Sequence, residues 1–184
     1  MVLTRTAIAG CSAEGFLPMR HVRSAAKALT LGEFVTGHPC PVLHIVDIKV
    51  GAASGNPDAT VQPGLQLRAL MNPGRSAFRY FDEIAPLVKR AEDEPSAAIS
   101  LGRSGENDIV LSVESVSHVH ALFSSDGERW LLTDRDSKNG TTLNGTPLPK
   151  GQPLPLSNGD RILFGGEILA IFLTPEALYE KAVR

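Results

Sequence analysis

Cysteine is nearly absent: Cys11 and Cys40 are the two in 184 residues. Two thiols cannot supply a disulfide framework, so a reducing compartment is the simpler reading. Long apolar runs are missing as well, and nothing approaches the roughly 20 apolar residues of a membrane span. Ile8-Ala9-Gly10-Cys11 resembles a lipoprotein cleavage site, but Arg5 leaves too few apolar residues before it for a signal segment. The cytoplasm is the expected location. Charge of one sign is also lacking. The formal net charge is −2, with 10 Lys/Arg against 9 Asp/Glu in residues 1–95 and 8 against 11 in residues 96–184. A general nucleic-acid binder needs a basic face, and neither half carries one.

What is present is enough apolar material, 42% of residues, for a packed core. Residues 1–23 hold Gly10, Gly15 and Pro18 and read as a loose arm. The run SAAKALTLGEFVTG (24–37) predicts one short helix with Ser24 as N-cap, ended by Gly37 and Pro39. PVLHIVDIKV (41–50) is a β-branched apolar run and predicts a strand. Residues 51–64 are turn-rich, 76–90 are β-like in a broken alternation, and AEDEPS (91–96) forms a charged joint.

After that joint the texture changes. Strand-like runs recur at intervals of about ten residues, the rhythm of a β-sandwich. They are residues 97–101, 108–111, 119–124, 129–134, 161–164 and 167–173, separated by turn pairs such as Asp126-Gly127 and Asn158-Gly159. Thr174 followed by Pro175 and Glu176 predicts a short closing helix over 174–183. The expected fold is therefore all-β: an antiparallel sandwich over 96–184 with a C-terminal helix. The extension, 1–95, would add a helix and strands packed on it.

Three loops carry polar residues of one kind. They are Gly102-Arg103-Ser104, then Ser115-Val116-Ser117-His118-Val119-His120, then Ser137-Lys138-Asn139-Gly140-Thr141. Guanidinium, ammonium, hydroxyl and amide groups together suit a doubly charged, oxygen-rich ligand, because Arg binds phosphate oxygens through paired, charge-assisted hydrogen bonds. No carboxylate pair, cysteine nucleophile or metal cluster joins them, so an enzyme is not expected. The stretch DRDSKNGTTLNG (134–145) places two Asn-Gly pairs five residues apart. Asn-Gly favours a tight hairpin turn.

The order GR, SxxH and NGTxxNG resembles the forkhead-associated (FHA) domain, a phosphothreonine-peptide-binding β-sandwich. The pieces are Gly102-Arg103, Ser117-His118-Val119-His120 and Ser137 to Gly145, followed by Asn158-Gly159-Asp160-Arg161-Ile162. The resemblance covers roughly residues 96–174, and 1–90 are similar to extensions on some stand-alone bacterial proteins of the type. It implies that Arg103 and Ser117 bind phosphate and that Asn139 holds the peptide main chain. Lys138 falls where the family often has Thr or Ser and would add a phosphate contact. His118 occupies a slot usually filled by Arg, Lys or Asn, a departure that weakens the pocket's charge. Gly102, His120, Gly140, Asn144 and Gly145 are structural in this reading. The first half of 134–145 would be a ligand loop and the second half a hairpin.

Bland alternatives stand beside these. Arg103 alone reads as a solvated arginine, Ser117 as a turn hydroxyl, and Trp130 with its neighbours as core. Asn139 and Asn144 head formal glycosylation sequons, for which the turn reading is preferred. His118-x-His120 lacks a third metal ligand, and His38, Cys40 and His44 read as structural. The expected function is a non-enzymatic module without cofactor that binds a phosphothreonine protein made by a Ser/Thr kinase. The alternative is a phosphate-independent scaffold of the same shape; an N-terminal enzyme domain has no motif. Thr4 and Thr6 lie in a basic arm that could fold back on Arg103 once phosphorylated.

Overall fold

A computed structural model describes residues 11–48, 80–90 and 98–184. The described residues open with strand β1 (Leu17–Pro18) and helices α1 (Met19–Ala28) and α2 (Leu31–Gly37). Strands β2 (Val42–Ile48), β3 (Glu83–Pro86), β4 (Ile99–Gly102), β5 (Ile109–Val110) and β6 (Ala121–Ser125) follow. Then come β7 (Trp130–Asp134), β8 (Thr141–Leu143), β9 (Thr146–Pro147) and β10 (Leu154–Leu156). The last elements are β11 (Arg161–Phe164), β12 (Ile168–Leu173) and helix α3 (Pro175–Val183).

The strands form two sheets, ordered β1-β3-β2-β12-β11-β8-β9 and β10-β7-β6-β4-β5. The result is the expected β-sandwich with its C-terminal helix. All pairs are antiparallel except β4 and β5, which run parallel with Leu101 opposite Ile109. That exception departs from a purely antiparallel reading. It arises because Asp108 turns the chain back beside β4, accepting from the Ser100 N–H at 2.8 Å and the Ser100 hydroxyl at 3.0 Å.

Alternation along the strands decides which residues meet. Leu43, Ile45, Leu101, Phe123, Leu132, Ile162, Phe164 and Phe172 are buried between the sheets. Val42, Ile84 and Leu173 face the other way and pack with Met19, Val22, Phe34 and Leu178 of the helices. Around β3, β2 and β12 the larger sheet is thus buried on both faces, which explains why the β12 sequence ILAIFL is apolar throughout.

The N-terminal segment differs from the loose arm expected over 1–23. Within its described part, Leu17 pairs with Ile84 and α1 begins at Met19. The single helix expected over 24–37 is two. Ser24 is not a cap but an interior residue whose hydroxyl donates to the Arg20 carbonyl at 3.0 Å. The cap of α1 comes from elsewhere: the Met19 N–H donates to the Asp82 carbonyl at 3.0 Å. The break at Thr30 is a capping box, in which the Thr30 N–H donates to Glu33 Oε2 at 2.9 Å and the Glu33 N–H to Thr30 Oγ1 at 3.4 Å. Of the β-like segment 76–90, β3 and a turn at 80–82 are seen, and 76–79 lie outside the described residues, as do 51–64 and the whole joint at 91–96. Strands β8 and β9 are the hairpin expected around Asn144-Gly145, and β10 adds to the smaller sheet where no strand was expected.

Pairing across β12 fixes the position of the polar loops. Ile168 pairs with Ile48 and Phe164 with Thr141, so the turn at 165–167 lies at the same end of the sandwich as the loop before β8. The loops after β4 and before β6 meet there too.

Candidate functional site

The loop after β4 and the loop before β6 are zipped by backbone bonds. The Arg103 N–H donates to the Ser117 carbonyl at 2.8 Å and the Ser104 N–H to the His118 carbonyl at 3.1 Å. Asn107 Nδ2 adds a bond to the same His118 carbonyl at 2.7 Å. This close approach explains Gly102: a Cβ there would lie 2.2 Å from the His118 oxygen. A side chain at 102 would force the two loops apart.

His120 braces the arrangement from below. It is fully buried, its Nδ1 accepts from the Ser117 N–H at 3.1 Å, and its Nε2 lies 3.2 Å from the Gly140 carbonyl. A carbonyl can only accept, so Nε2 carries the proton and the ring is neutral. Burial lowers its pKa, outweighing the opposing pull of Asp134 and the Gly140 bond.

The third loop is anchored by Asp134. Its buried carboxylate accepts from the Ser137 N–H at 2.8 Å, the Ser137 hydroxyl at 2.7 Å and the Thr141 hydroxyl at 2.6 Å. Burial alone would raise this carboxyl, but the Thr141 and Ser137 bonds outweigh it and hold the pKa low. Ser137 and Thr141 therefore face inward, contrary to their inclusion among ligand-facing loop groups. Between them, Lys138 and Asn139 are exposed. The Lys138 N–H donates to Ser117 Oγ at 2.9 Å, and Asn139 Nδ2 donates to the Ser115 carbonyl at 2.8 Å.

These contacts produce an open depression lined by Arg103, Glu114, Ser115, Val116, Ser117, His118 and Lys138. Arg103, Ser117, His118 and Lys138 are thereby brought together, and Asn139 stands beside them through Ser115. Two cations and a hydroxyl facing solvent can bind a dianion; the Asn139 amide oxygen remains available to a donor. Among the described residues no group of three or more His, Cys, Asp or Glu is placed to hold a metal.

Asn144 and Gly145 do different work. Both have positive φ, 51° and 83°, and close the β8–β9 hairpin. Asn144 also bonds Asp160 Oδ1 at 2.8 Å and accepts from the Arg161 N–H at 2.9 Å. Gly140 has φ 76°, whereas Asn139 is not in the positive region, so the first Asn-Gly pair is no hairpin. Glu114, Asn107 and Glu167 at or behind the depression were not singled out in the sequence. Their roles depend on which loops meet, and no local pattern marks them.

The β-sandwich carries its cations and hydroxyls on three loops at one end, and residues 99–165 match the family model described as FHA domain. Glycogen accumulation regulator GarA from Mycolicibacterium smegmatis is 35% identical over 82 residues, 45% of this chain and 48% of that protein. FHA domain-containing protein At4g14490 from Arabidopsis thaliana is 31% identical over 94 residues, 50% of this chain and 24% of that protein. The chain thus spans about half the length of the first relative and about a quarter of the second. Among solved structures, the FhaA FHA domain complexed with the intracellular domain of Rv3910 is 31% identical, with a TM-score of 0.37 over 45% of this chain and 87% of that one. Among the described residues no helix is long and apolar enough to cross a membrane.

Proposed function

We propose that the protein is a non-enzymatic module that binds phosphothreonine segments of a partner phosphorylated by a Ser/Thr kinase. The observation that carries this reading is the convergence of Arg103, Ser117 and Lys138 on one depression, on loops held by His120 and Asp134. Arg103 and Lys138 supply the charge, Ser117 Oγ a hydroxyl, and the Asn139 amide oxygen an acceptor for a peptide N–H. His118 is exposed beside them and adds a ring donor. The loop bonds are made before any ligand arrives, so little ordering entropy remains to oppose binding. The match of residues 99–165 to the FHA domain model supports the phosphothreonine preference.

The test is fluorescence anisotropy with a degenerate phosphothreonine peptide pool, its unphosphorylated twin and Arg103→Ala. Loss of the charge-assisted bonds from Arg103 should cost about 2–3 kcal/mol, roughly thirty- to hundredfold in Kd. Binding that needs neither the phosphate nor Arg103, or none by a folded protein, would sink the reading in favour of a phosphate-independent scaffold.

A further inference from the structure

The turn between β11 and β12 lies outside the motif that aligns the three loops, yet it touches the site directly. The Ser115 hydroxyl donates to Glu167 Oε2 at 2.6 Å, a short bond to a carboxylate. Two residues earlier, Gly165 packs so closely that a Cβ would lie 2.4 Å from the Ser115 carbonyl oxygen. That same oxygen accepts from Asn139 Nδ2 at 2.8 Å. The turn itself is anchored to the third loop, because the Gly165 N–H donates to the Gly140 carbonyl at 3.0 Å.

We propose that Glu167 is a positioning residue for ligand binding: through Ser115 it aims the Asn139 amide at the ligand main chain. Asn139 is exposed, and an exposed amide rotates freely unless something holds it. The Ser115 carbonyl accepts from its NH₂ group, and that bond turns the amide oxygen the other way, toward where a peptide N–H must come. The orientation is therefore only as firm as the Ser115 backbone. Glu167 clamps that backbone from the side chain, while Gly165 leaves room for the carbonyl. With the carboxylate removed, Ser115 loses its short bond and the Asn139 oxygen is no longer preset.

This inference rests on the proposed phosphopeptide site, so its test has one arm without ligand. In ¹⁵N spectra of the free protein, the Asn139 side-chain NH₂ pair should be resolved from the solvent-exposed amides. Glu167→Ala should move it to the position of a free amide, whereas Glu167→Gln, which keeps an oxygen acceptor, should restore it. Ser115→Ala removes the same bond from the other side and serves if Glu167→Ala does not fold. In the ligand arm, Glu167→Ala should weaken phosphopeptide binding by about tenfold. In an Asn139→Ala background it should weaken binding no further, because the effect travels through Asn139. An Asn139 NH₂ signal unmoved by Glu167→Ala would overturn the proposal, as would additive losses in the double variant. A wild-type protein that binds no phosphopeptide would instead defeat the phosphopeptide reading, with the spectra still deciding the role of Glu167.

Discussion

His120 shows how one buried residue ties ligand affinity to pH. Its native pKa lies below the ordinary 6.5 because burial disfavours the charged ring. The unfolded chain therefore binds the proton more readily, and the stability His120 contributes is complete above about pH 6.5. It is lost as pH falls from 6.5 through the native pKa. His44 acts in the same sense: it is buried, its pKa is lowered chiefly by burial, and its Nδ1 has no hydrogen-bond partner. A thermal melt series from pH 7.5 to pH 5 should fall, and His120→Gln should flatten part of that slope. A protonated Nδ1 would also face the Ser117 N–H it now accepts from, so the Ser117 loop should open in the same range. Gly102 makes a sharper demand. Gly102→Ala must displace the His118 carbonyl, and we expect about 1–3 kcal/mol of destabilisation with loss of phosphopeptide binding; a full-affinity Gly102→Ala protein would contradict the close approach. Gly102 and His120 were legible in the sequence through the ordered motif that carries them, although both act between loops distant along the chain. Glu167 was not, because its role exists only once distant loops meet; Asp134 bonds within its own loop, but nothing in the motif marks it.

At the scale of elements, the helices show what a sequence pattern can and cannot state. Thr30 and Glu33 stand at capping-box spacing inside what looks like a single helix, and the box decides that a new helix starts there. The start of α1 had no such signal, since its cap is the Asp82 carbonyl from a turn some 60 residues further along the chain. Asp82 itself has φ 58°, holds His44 Nε2 at 3.0 Å and lies 3.7 Å from Arg23, so one unusual residue joins α1 to β2. Thr30→Ala should cost about 1 kcal/mol, seen as a lowered Tm with unchanged phosphopeptide affinity, because α2 is remote from the site. A second joint is deeper. The Lys89 ammonium lies 2.9 Å from Asp108, both nearly fully buried, and Asp108 also accepts from the Arg90 N–H at 2.6 Å. Lys89→Met leaves the Asp108 charge buried without its cation, and about 3–5 kcal/mol should be lost in chemical denaturation. A loss below 1 kcal/mol would mean that the backbone bonds alone satisfy the carboxylate.

Across the whole molecule, the N-terminal extension shares a sheet with β8, β11 and β12 and a core with both sheets. The strand rhythm after residue 96 made the sandwich legible, but not the helical layer on its outer face. That layer follows from β12, whose residues are apolar on both faces and therefore need two partners: the second sheet and the helices. Strand β2 lies between β12 and β3, so its removal would expose the edge of β12. It would also remove Leu43 and Ile45 from the core between the sheets, and the extension further contributes Phe16, Tyr80 and Leu87. At about 1.5–3 kcal/mol for each large side chain, the loss is comparable to the roughly 5–15 kcal/mol that stabilises a whole domain. Residues 98–184 expressed alone should therefore give a poorly dispersed proton spectrum and no cooperative melt, although they carry every proposed phosphate ligand. Supplying residues 11–90 as a separate chain should restore dispersion and phosphopeptide binding together. A fragment that folds and binds unaided at full affinity would show that the extension is an accessory rather than a structural half of the sandwich.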